Sequence, residues 1–345
     1  LKALEADSRV HGTTGGGLDL ALVVDGLKAE REQGITIDVA WRYFTTARRA
    51  FIIADCPGHE QYTRNMATGA SHCQLAISLI DARSGVTTQT RRHATIAAML
   101  GIRHVVAAVN KMDIVGWSEE RFRAIEREFV DFCARIGIPD PVAVPISALN
   151  GDNVVDASVH TPWYGGPTLL NHLETVHIAS DWNLNGFRLP VQWVNRPNTP
   201  TDQTLHDFRG FSGQIAGGIV RTGQKIIAFP AGMVTTVKQI WTYDGPVEEA
   251  FCPQSVTVVL EDDIDVSRGS MLVGLEERPG FGTDLRANVC WMHARPLQAG
   301  RKYLLKHTSH TVQAVVTEVV SRLDMGTLEV QPSPAQLAVN DIGEI

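Results

Sequence analysis

The sequence is poor in the features that mark secreted and membrane-bound proteins. No apolar run approaches the roughly 20 residues that a membrane-spanning helix needs, and no secretory signal is recognisable at Leu1. The five cysteines are odd in number and scattered, so they fit neither a disulfide framework nor a zinc site. We therefore expect a cytoplasmic protein with no membrane partner.

An excess of positive charge is also absent. Lysine and arginine number 31 against 38 aspartate and glutamate residues, which gives a formal net charge of −7. Proteins that bind nucleic acid without sequence preference carry a basic surface, so we do not expect nucleic acid as a partner. With 345 residues, 44% of them hydrophobic, the chain is long enough for more than one domain.

Four short polar strings stand in a fixed order along the chain. They occupy residues 34–36, 55–59, 110–113 and 147–149. The last three each follow a short, nearly all-apolar run, which is typical of strands in a parallel sheet that is covered on both faces. Because ligands of open α/β sheets bind at the carboxyl ends of the strands, the strings predict one nucleotide site.

The third and fourth strings contain groups that can recognise guanine. Asp113 can accept hydrogen bonds from guanine N1–H and the 2-amino group, whereas adenine offers no such pair of donors. Asn110 has an amide that can hold the base edge and tie neighbouring loops, and Lys111 can lay its aliphatic stem along the base plane. We expect the backbone N–H groups of Ser147 and Ala148 to face guanine O6. The expected base-side residues are Asn110, Lys111, Met112, Asp113, Ser147, Ala148 and Leu149.

The first two strings contain groups suited to the phosphates of GTP or GDP and to Mg²⁺. Asp55 is the expected outer-sphere carboxylate for Mg²⁺, and Thr36 is expected to offer its hydroxyl to the ion and its N–H to the γ-phosphate. Gly58 lets the backbone approach that phosphate, and His59 is placed to orient the attacking water. We therefore expect Thr36, Gly58 and His59 to be catalytic and Thr36 and Asp55 to hold the metal. The expected phosphate-side residues are Asp55, Cys56, Pro57, Gly58 and His59.

One string that a GTPase needs is missing, the phosphate-cradling loop G-x-x-x-x-G-K-[ST]. The backbone amides, lysine and hydroxyl of that loop supply most phosphate contacts, so the sequence as it stands is expected to bind GTP poorly. We interpret the chain as part of a longer gene product. Residues 343–345 look like the beginning of a strand, which indicates that the last barrel is also incomplete.

The predicted fold class is an α/β P-loop-type GTPase domain, with a parallel-rich sheet and helices on both faces, followed by antiparallel β-barrel domains. The expected domains are a GTP-binding domain without its P-loop at 1–182, a β-barrel at 183–280 and a truncated β-barrel at 281–345. Short β-rich runs, including 187–194 and 213–219, alternate with Gly, Pro and Asp turns after residue 181, as in small barrels.

Helices are expected over residues 60–70, over 90–100, and from an N-cap at Ser118 to Gly137, with a last helix starting at Pro167. The aromatic residues of the third helix recur at helical spacing and are expected in the core. His307 and His310 stand three apart on a β segment, so they are expected on opposite faces, where they make a poor metal pair.

Longer stretches resemble one family. Residues 25–40, with Trp41-Arg42-Tyr43-Phe44 after them, look like the switch region of the GTPase (large) subunit of bacterial sulfate adenylyltransferase, or ATP sulfurylase. The order of a GTPase domain and two barrels also resembles elongation factor Tu, of the same translation-factor superfamily. The resemblance covers essentially the whole chain, and it continues in residues 12–15, 161–166, 207–211 and 261–269.

The resemblance implies a heterodimer whose catalytic small subunit converts ATP and sulfate into adenosine 5′-phosphosulfate and diphosphate. That reaction is steeply uphill, and the large subunit is implied to hydrolyse GTP and to couple its free energy to the transfer. The implied cofactors are GTP or GDP and Mg²⁺. Some members carry an adenylylsulfate kinase at the carboxyl end, and a nodulation-related version of that fusion exists.

Two alternatives stay open at this point. A translation elongation factor-type GTPase that delivers aminoacyl-tRNA shares the four strings, and only intervening segments such as 30–33 and 207–210 argue against it. A non-catalytic fragment that serves as a docking partner for the small subunit accounts for the missing loop.

Overall fold

The computed structural model describes residues 36–178, 182–197, 208–276 and 278–345. The chain divides into two compact units, the first comprising Leu1–His177, Ala287–Gln298 and Glu318–Ile345, the second Ile178–Arg286 and Ala299–Thr317. Gly34 and Ile35 of the first string lie outside the described residues, as do most of the switch-like stretch and residues 12–15.

The described part of the first unit begins with an antiparallel hairpin. Strand β1 (Ala40–Thr45) pairs with β2 (Ala50–Asp55). The sequence predicts β2 as a strand of a parallel sheet, buried on both faces. In the described residues β2 instead pairs only with β1, and Ile52 and Ile53 are 61% and 47% exposed. An apolar run identifies a strand but does not specify its neighbour, which is why this part of the prediction was wrong.

The predicted parallel sheet is present next along the chain. Strands β3 (Leu75–Asp81), β4 (His104–Asn110) and β5 (Val142–Pro145) lie in the order β3-β4-β5, all parallel. β4 is the central strand, and residues 105–109 are buried on both faces. This burial explains why β4 is an unbroken apolar run rather than an alternating one. All three strands point their carboxyl ends to the same edge.

The helices of the first unit agree with the sequence to within a few residues. They are α1 (Thr63–Ala70, after a 3-10 turn at Glu60–Tyr62), α2 (Thr88–Met99), α3 (Glu119–Arg135) and α4 (Leu169–Thr175). The last helix starts later than predicted. Thr168, rather than Pro167, ends the preceding loop, because the Thr168 hydroxyl accepts a hydrogen bond from the Asn171 N–H at 3.3 Å.

Helix α3 confirms its predicted ends and its predicted core face. The Ser118 hydroxyl caps the start by accepting from the Arg121 N–H at 3.2 Å, and Gly137 ends the helix region with φ 76°. The buried residues Phe122, Ile125, Phe129, Phe132 and Cys133 form one stripe. This stripe packs in the core of the first unit.

Replacing Phe129 by alanine is expected to lower the free energy of unfolding by about 3–5 kcal/mol, because the fully buried ring leaves a cavity. Urea unfolding of the purified protein measures the loss. Arg127→Ala, on the exposed side of the same helix, is the matched control and is expected to change stability by less than about 0.5 kcal/mol. Equal effects of the two variants would contradict the assignment of this face to the core.

The second unit contains an antiparallel sheet, in agreement with the predicted β-rich region. The strands are β6 (Arg188–Pro190), β7 (Trp193–Asn195), β8 (Gly210–Gln214), β9 (Ile219–Arg221), β10 (Lys225–Phe229), β11 (Met233–Thr242), β12 (Gly245–Val247), β13 (Glu249–Phe251), β14 (Ser255–Leu260) and β15 (Met271–Gly274). The main path is β6-β15-β10-β11-β14-β8-β7. The predicted run 187–194 is split into two strands because β6 pairs with β15 and β7 pairs with β8.

The remaining strands are short. They are β16 (Asn288–Cys290), β17 (Leu297–Gln298), β18 (Lys302–His307), β19 (His310–Val315), β20 (Ser321–Leu323), β21 (Val330–Pro332), β22 (Gln336–Leu337) and β23 (Ile342–Glu344). β18 and β19 form a hairpin in which His307 lies directly opposite His310. The prediction of opposite faces was wrong, because the two residues between them form a turn and not a continuous strand.

The described ranges lack two features, a metal-binding cluster and a membrane-spanning helix. They contain no group of three or more His, Cys, Asp or Glu side chains suited to hold a metal ion by themselves. No helix in these ranges is long and apolar enough to cross a bilayer.

Candidate functional site

The carboxyl ends of β3, β4 and β5 bring the third and fourth polar strings together. Asp81 at the end of β3 lies beside Asn110 at the end of β4. The Ile146 N–H, just after β5, donates to the Val109 carbonyl at 2.8 Å, which places Ser147 next to the Asn110 loop. The parallel register therefore produces the shared edge that the sequence predicts.

Asn110 joins the two loops at this edge. Its Oδ1 accepts one hydrogen bond from the Lys111 N–H at 2.8 Å and another from the Ala148 N–H at 2.9 Å. One amide oxygen thus fixes the start of its own loop and the middle of the neighbouring one. Because Oδ1 of the Asn110 side chain accepts both bonds, its amide nitrogen is left to donate to a ligand.

Lys111 and Met112 point in different directions from this loop. Lys111 has φ 65°, a left-handed conformation that non-glycine residues seldom adopt, and its Nζ lies 3.0 Å from Asp81 Oδ2. Met112 is fully buried and belongs to the core cluster of the first unit. The side chain of Met112 therefore anchors the loop in the core, while Lys111 lies at the surface of the site.

Asp113 presents a carboxylate with no protein partner among the described residues. Its backbone is held, since the Gly116 N–H donates to the Asp113 carbonyl at 3.3 Å. The side chain is half-buried, and the hydrogen bonds and ion pairs of the described ranges do not include its oxygens. The carboxylate therefore keeps its full capacity to accept hydrogen bonds from a ligand.

In the loop of the fourth string, some backbone N–H groups already donate to acceptors within the protein. The Ser147 N–H donates to the Asp152 carbonyl at 3.3 Å, and the Ala148 N–H is bound by Asn110. Leu149 is highly exposed, and the described residues offer its N–H no acceptor. A base carbonyl at this edge therefore either shares the Ala148 N–H with Asn110 or takes the Leu149 N–H.

The second string follows β2 and has a different environment. Asp55 is half-buried, Pro57 is buried and Gly58 is exposed. A Cβ added at Gly58 would meet no atom of the described residues within 4 Å, so the space around this backbone is open in that part of the structure. Burial raises the pKa of the Cys56 thiol to about 11, so the thiol stays protonated near neutral pH and is a poor nucleophile.

His59 is positioned by its own backbone. It caps the 3-10 turn that begins at Glu60, and its Nδ1 accepts from the Gln61 N–H at 3.3 Å. Because Nδ1 is an acceptor, the neutral imidazole carries its proton on Nε2. The ring is exposed, so this Nε2–H is available to a water molecule.

Thr36 is the first described residue, and the segment after it is attached to α1. The Asn65 amide donates to the Ile37 carbonyl at 2.7 Å, which links the residue after Thr36 to the helix that follows His59. In the described part of the chain, this hydrogen bond ties the segment after Thr36 to α1, and Asp55 ends strand β2 of the hairpin.

Two residues of the edge were missed by the sequence analysis, namely Asp81 and Arg83. The Arg83 guanidinium binds the Asp81 carboxylate, with Nη2 at 2.6 Å from Oδ2. The signal was present, because Asp81 follows the apolar run 75–80 just as the other polar strings follow theirs. It was passed over because no recognised motif begins with it.

Comparisons with known proteins agree with this arrangement. Residues 3–181 match the family "Elongation factor Tu GTP binding domain", and residues 284–345 match "GTP-eEF1A C-terminal domain-like". A solved structure, sup35 complexed with GDP, aligns over 88% of this chain and 74% of that chain, with 23% identity and a TM-score of 0.43. This likeness is too low to add to the assignment.

Curated relatives are much more similar. Sulfate adenylyltransferase subunit 1 of Teredinibacter turnerae is 53% identical over 100% of this chain and 72% of the relative. The subunit 1 of Bacteroides fragilis is 53% identical over 100% of this chain and 71% of the relative. The bifunctional enzyme CysN/CysC of Rhodopirellula baltica is 53% identical over 100% of this chain and 52% of the relative.

The GTP-binding domain match covers the Asn110 and Asp113 edge, and the subunit 1 relatives match from one end of this chain to the other. The chain therefore belongs to the sulfate adenylyltransferase subunit 1 family, within the guanine-nucleotide-binding proteins related to elongation factor Tu.

Proposed function

We propose that the protein is the GTPase subunit of a sulfate adenylyltransferase, which couples GTP hydrolysis to the formation of adenosine 5′-phosphosulfate and diphosphate from ATP and sulfate. The observation that carries the guanine part is the Asp113 carboxylate, which has no partner among the described residues and lies at an edge where Asn110 fixes two loops. The names of the relatives support the sulfate-activation part and favour it over a translation factor.

The base-side roles follow from hydrogen-bonding capacity. Asp113 accepts from guanine N1–H and the 2-amino group, and the Asn110 amide nitrogen donates to the base edge. Lys111 covers a face of the base. Guanine O6 accepts from the loop of the fourth string, through the Ala148 N–H that Asn110 also binds or through the Leu149 N–H.

The phosphate-side roles rest on the hairpin and the turn after it. Asp55 and Thr36 carry hard oxygen donors, which are the ligands that Mg²⁺ prefers. When bound with GTP, Mg²⁺ would neutralise phosphate charge. The open space at Gly58 admits a phosphate close to the backbone, and His59 directs its Nε2–H to the attacking water.

The partner we propose is a catalytic subunit that carries the adenylyl-transfer site, because the relatives are named as subunit 1 of the enzyme. A link to an adenylylsulfate kinase is supported by the bifunctional relative. The location we propose is the cytoplasm.

The test uses the full gene product and its partner subunit. We would measure GTP hydrolysis with and without ATP and sulfate, and follow adenosine 5′-phosphosulfate in the same mixtures. The proposal requires that the complete mixture raises both hydrolysis and product. Hydrolysis that ignores ATP and sulfate but responds to ribosomes would instead identify a translation GTPase, and a failure of the wild type to bind guanine nucleotide would identify a docking subunit.

A further inference from the structure

Asp81 is held firmly at the base-side edge of the sheet. Its Oδ1 accepts from the Arg83 N–H at 2.9 Å, and its Oδ2 accepts from Arg83 Nη2 at 2.6 Å. The Arg83 guanidinium keeps the pKa of the Asp81 carboxyl well below its usual range. Asp81 is therefore a fixed anion and not a freely rotating surface carboxylate.

The loop around Asp81 is fixed as well. The Ala82 N–H donates to the Asn110 carbonyl at 2.9 Å, which continues the β3–β4 pairing beyond the strands. Arg121 on α3 donates to the Ala82 carbonyl at 2.6 Å and to the Arg83 carbonyl at 3.0 Å. A helix and a strand thus hold the loop in place before any ligand binds.

Lys111 is the residue that this fixed anion faces. Its Nζ lies 3.0 Å from Asp81 Oδ2, and its side chain remains 44% exposed. The two ends of the side chain are therefore fixed, one by the left-handed backbone of the Asn110 loop and the other by Asp81. Between them the aliphatic stem spans from the Asn110 loop to Asp81 at the end of β3.

We propose that Asp81 is a positioning residue for the guanine base: by fixing the ammonium group of Lys111, it aligns the aliphatic stem of that lysine to cover one face of the base. This inference rests on the proposed guanine-nucleotide binding and names a residue outside the recognised motifs. A lysine that is ordered before binding loses less side-chain entropy when the base arrives. Asp81 acts through Lys111 and makes no contact with the base.

The first variant is Asp81→Asn in the full gene product, which keeps the size of the side chain and removes its charge. Binding of GDP and of IDP is measured by calorimetry. The Kd for both nucleotides is expected to rise by the same factor, roughly 3–10-fold, because the change affects the face of the base and not its edge.

The second variant combines this change with Lys111→Ala. If Asp81 acts through Lys111, the substitution Asp81→Asn has no further effect in the Lys111→Ala background, as a double-mutant cycle shows. Independent, additive losses would overturn the proposal, and so would a change in the preference for GDP over IDP. If Asp81→Asn folds poorly, Arg83→Gln weakens the contact that holds Asp81 and keeps the Asp81 carboxylate. A smaller loss of affinity, equal for GDP and IDP, is expected.

The matched control is Glu126→Gln, which breaks the ion pair with Arg123 on α3 at 2.9 Å. The Glu126–Arg123 pair and the Asp81–Lys111 pair are similarly exposed, but the Glu126–Arg123 pair lies on α3 and not at the base-side edge. The Glu126→Gln variant is therefore expected to change GDP affinity by less than about 2-fold. If the wild type binds no guanine nucleotide, the proposed function fails together with this inference. If the wild type binds normally and the losses are additive, only the role of Asp81 is overturned.

Discussion

Replacing Asp113 by alanine is expected to weaken GDP and GTP binding by about 10²–10⁴-fold, because two hydrogen bonds to a charged acceptor are lost. The carboxylate has no partner among the described residues, so no internal contact compensates for its removal or hides the effect. Calorimetric titration of the full gene product with GDP measures the change. A loss below about 5-fold would show that Asp113 does not contact the base.

The substitution Asp113→Asn gives a sharper result than the alanine variant. Asparagine can accept from N1–H and can donate to a carbonyl, but it opposes the 2-amino group of guanine with an amino group of its own. Xanthine has a carbonyl at that position. We therefore expect Asp113→Asn to lose affinity for GDP and to gain affinity for the xanthine nucleotide. Asp113→Ala is expected to lose affinity for GDP without gaining affinity for the xanthine nucleotide.

A general loss of folding would lower affinity for every nucleotide, so the opposite shifts for guanine and xanthine separate recognition from stability. The thermal midpoints of the two variants supply the remaining control. Asp113 is half-buried, and within the described ranges its hydrogen bonds are made by its backbone alone, so both midpoints are expected to stay close to that of the wild type. Unchanged selectivity in Asp113→Asn would contradict the proposed pairing with the base edge.

The base-side edge was largely predictable from the sequence, because parallel strands have to end together. The apolar runs before Asn110 and Ser147 predict adjacent strands, and β4 and β5 are adjacent and parallel. Polar residues after such strands necessarily share an edge. Asp81 obeys the same rule, and a search by position rather than by motif would have found it.

The sequence could not predict which backbone N–H groups bind acceptors within the protein, or which strands pair with each other. The Ala148 N–H was expected to be free for guanine O6, yet it binds Asn110 at 2.9 Å. Met112 was grouped with the nucleotide-binding residues, yet its side chain lies in the core. Such outcomes depend on which acceptor binds a given N–H and on which side of a loop is buried in the core. The residue pattern of a short segment determines neither.

The phosphate side was the least predictable part for a related reason. The strand before Asp55 was expected in the parallel sheet, but β2 pairs antiparallel with β1 in the described residues. A three-residue string such as 34–36 is too short to have a periodicity that fixes its neighbours. The proposed role of Thr36 is therefore tied only to the link between Ile37 and Asn65.

Replacing His59 by alanine is expected to lower kcat for GTP hydrolysis by about 10²-fold or more, with little change in the Kd for GTP. His59 is exposed and its Nδ1 is engaged by the Gln61 N–H, so only Nε2–H is left to contact the attacking water. A group that touches the water and not the nucleotide contributes to the rate and not to binding. Single-turnover hydrolysis of GTP, with the partner subunit, ATP and sulfate present, measures the rate.

The variant His59→Gln separates orientation of the water from proton transfer. Glutamine offers an N–H donor without a titrating group, so partial recovery of the rate is expected if His59 orients the water. If hydrolysis and sulfate activation are coupled, formation of adenosine 5′-phosphosulfate falls in parallel with hydrolysis in His59→Ala. A variant that hydrolyses GTP at the wild-type rate would remove His59 from the mechanism. A variant in which hydrolysis falls while the product yield is unchanged would retain the catalytic role and refute the coupling.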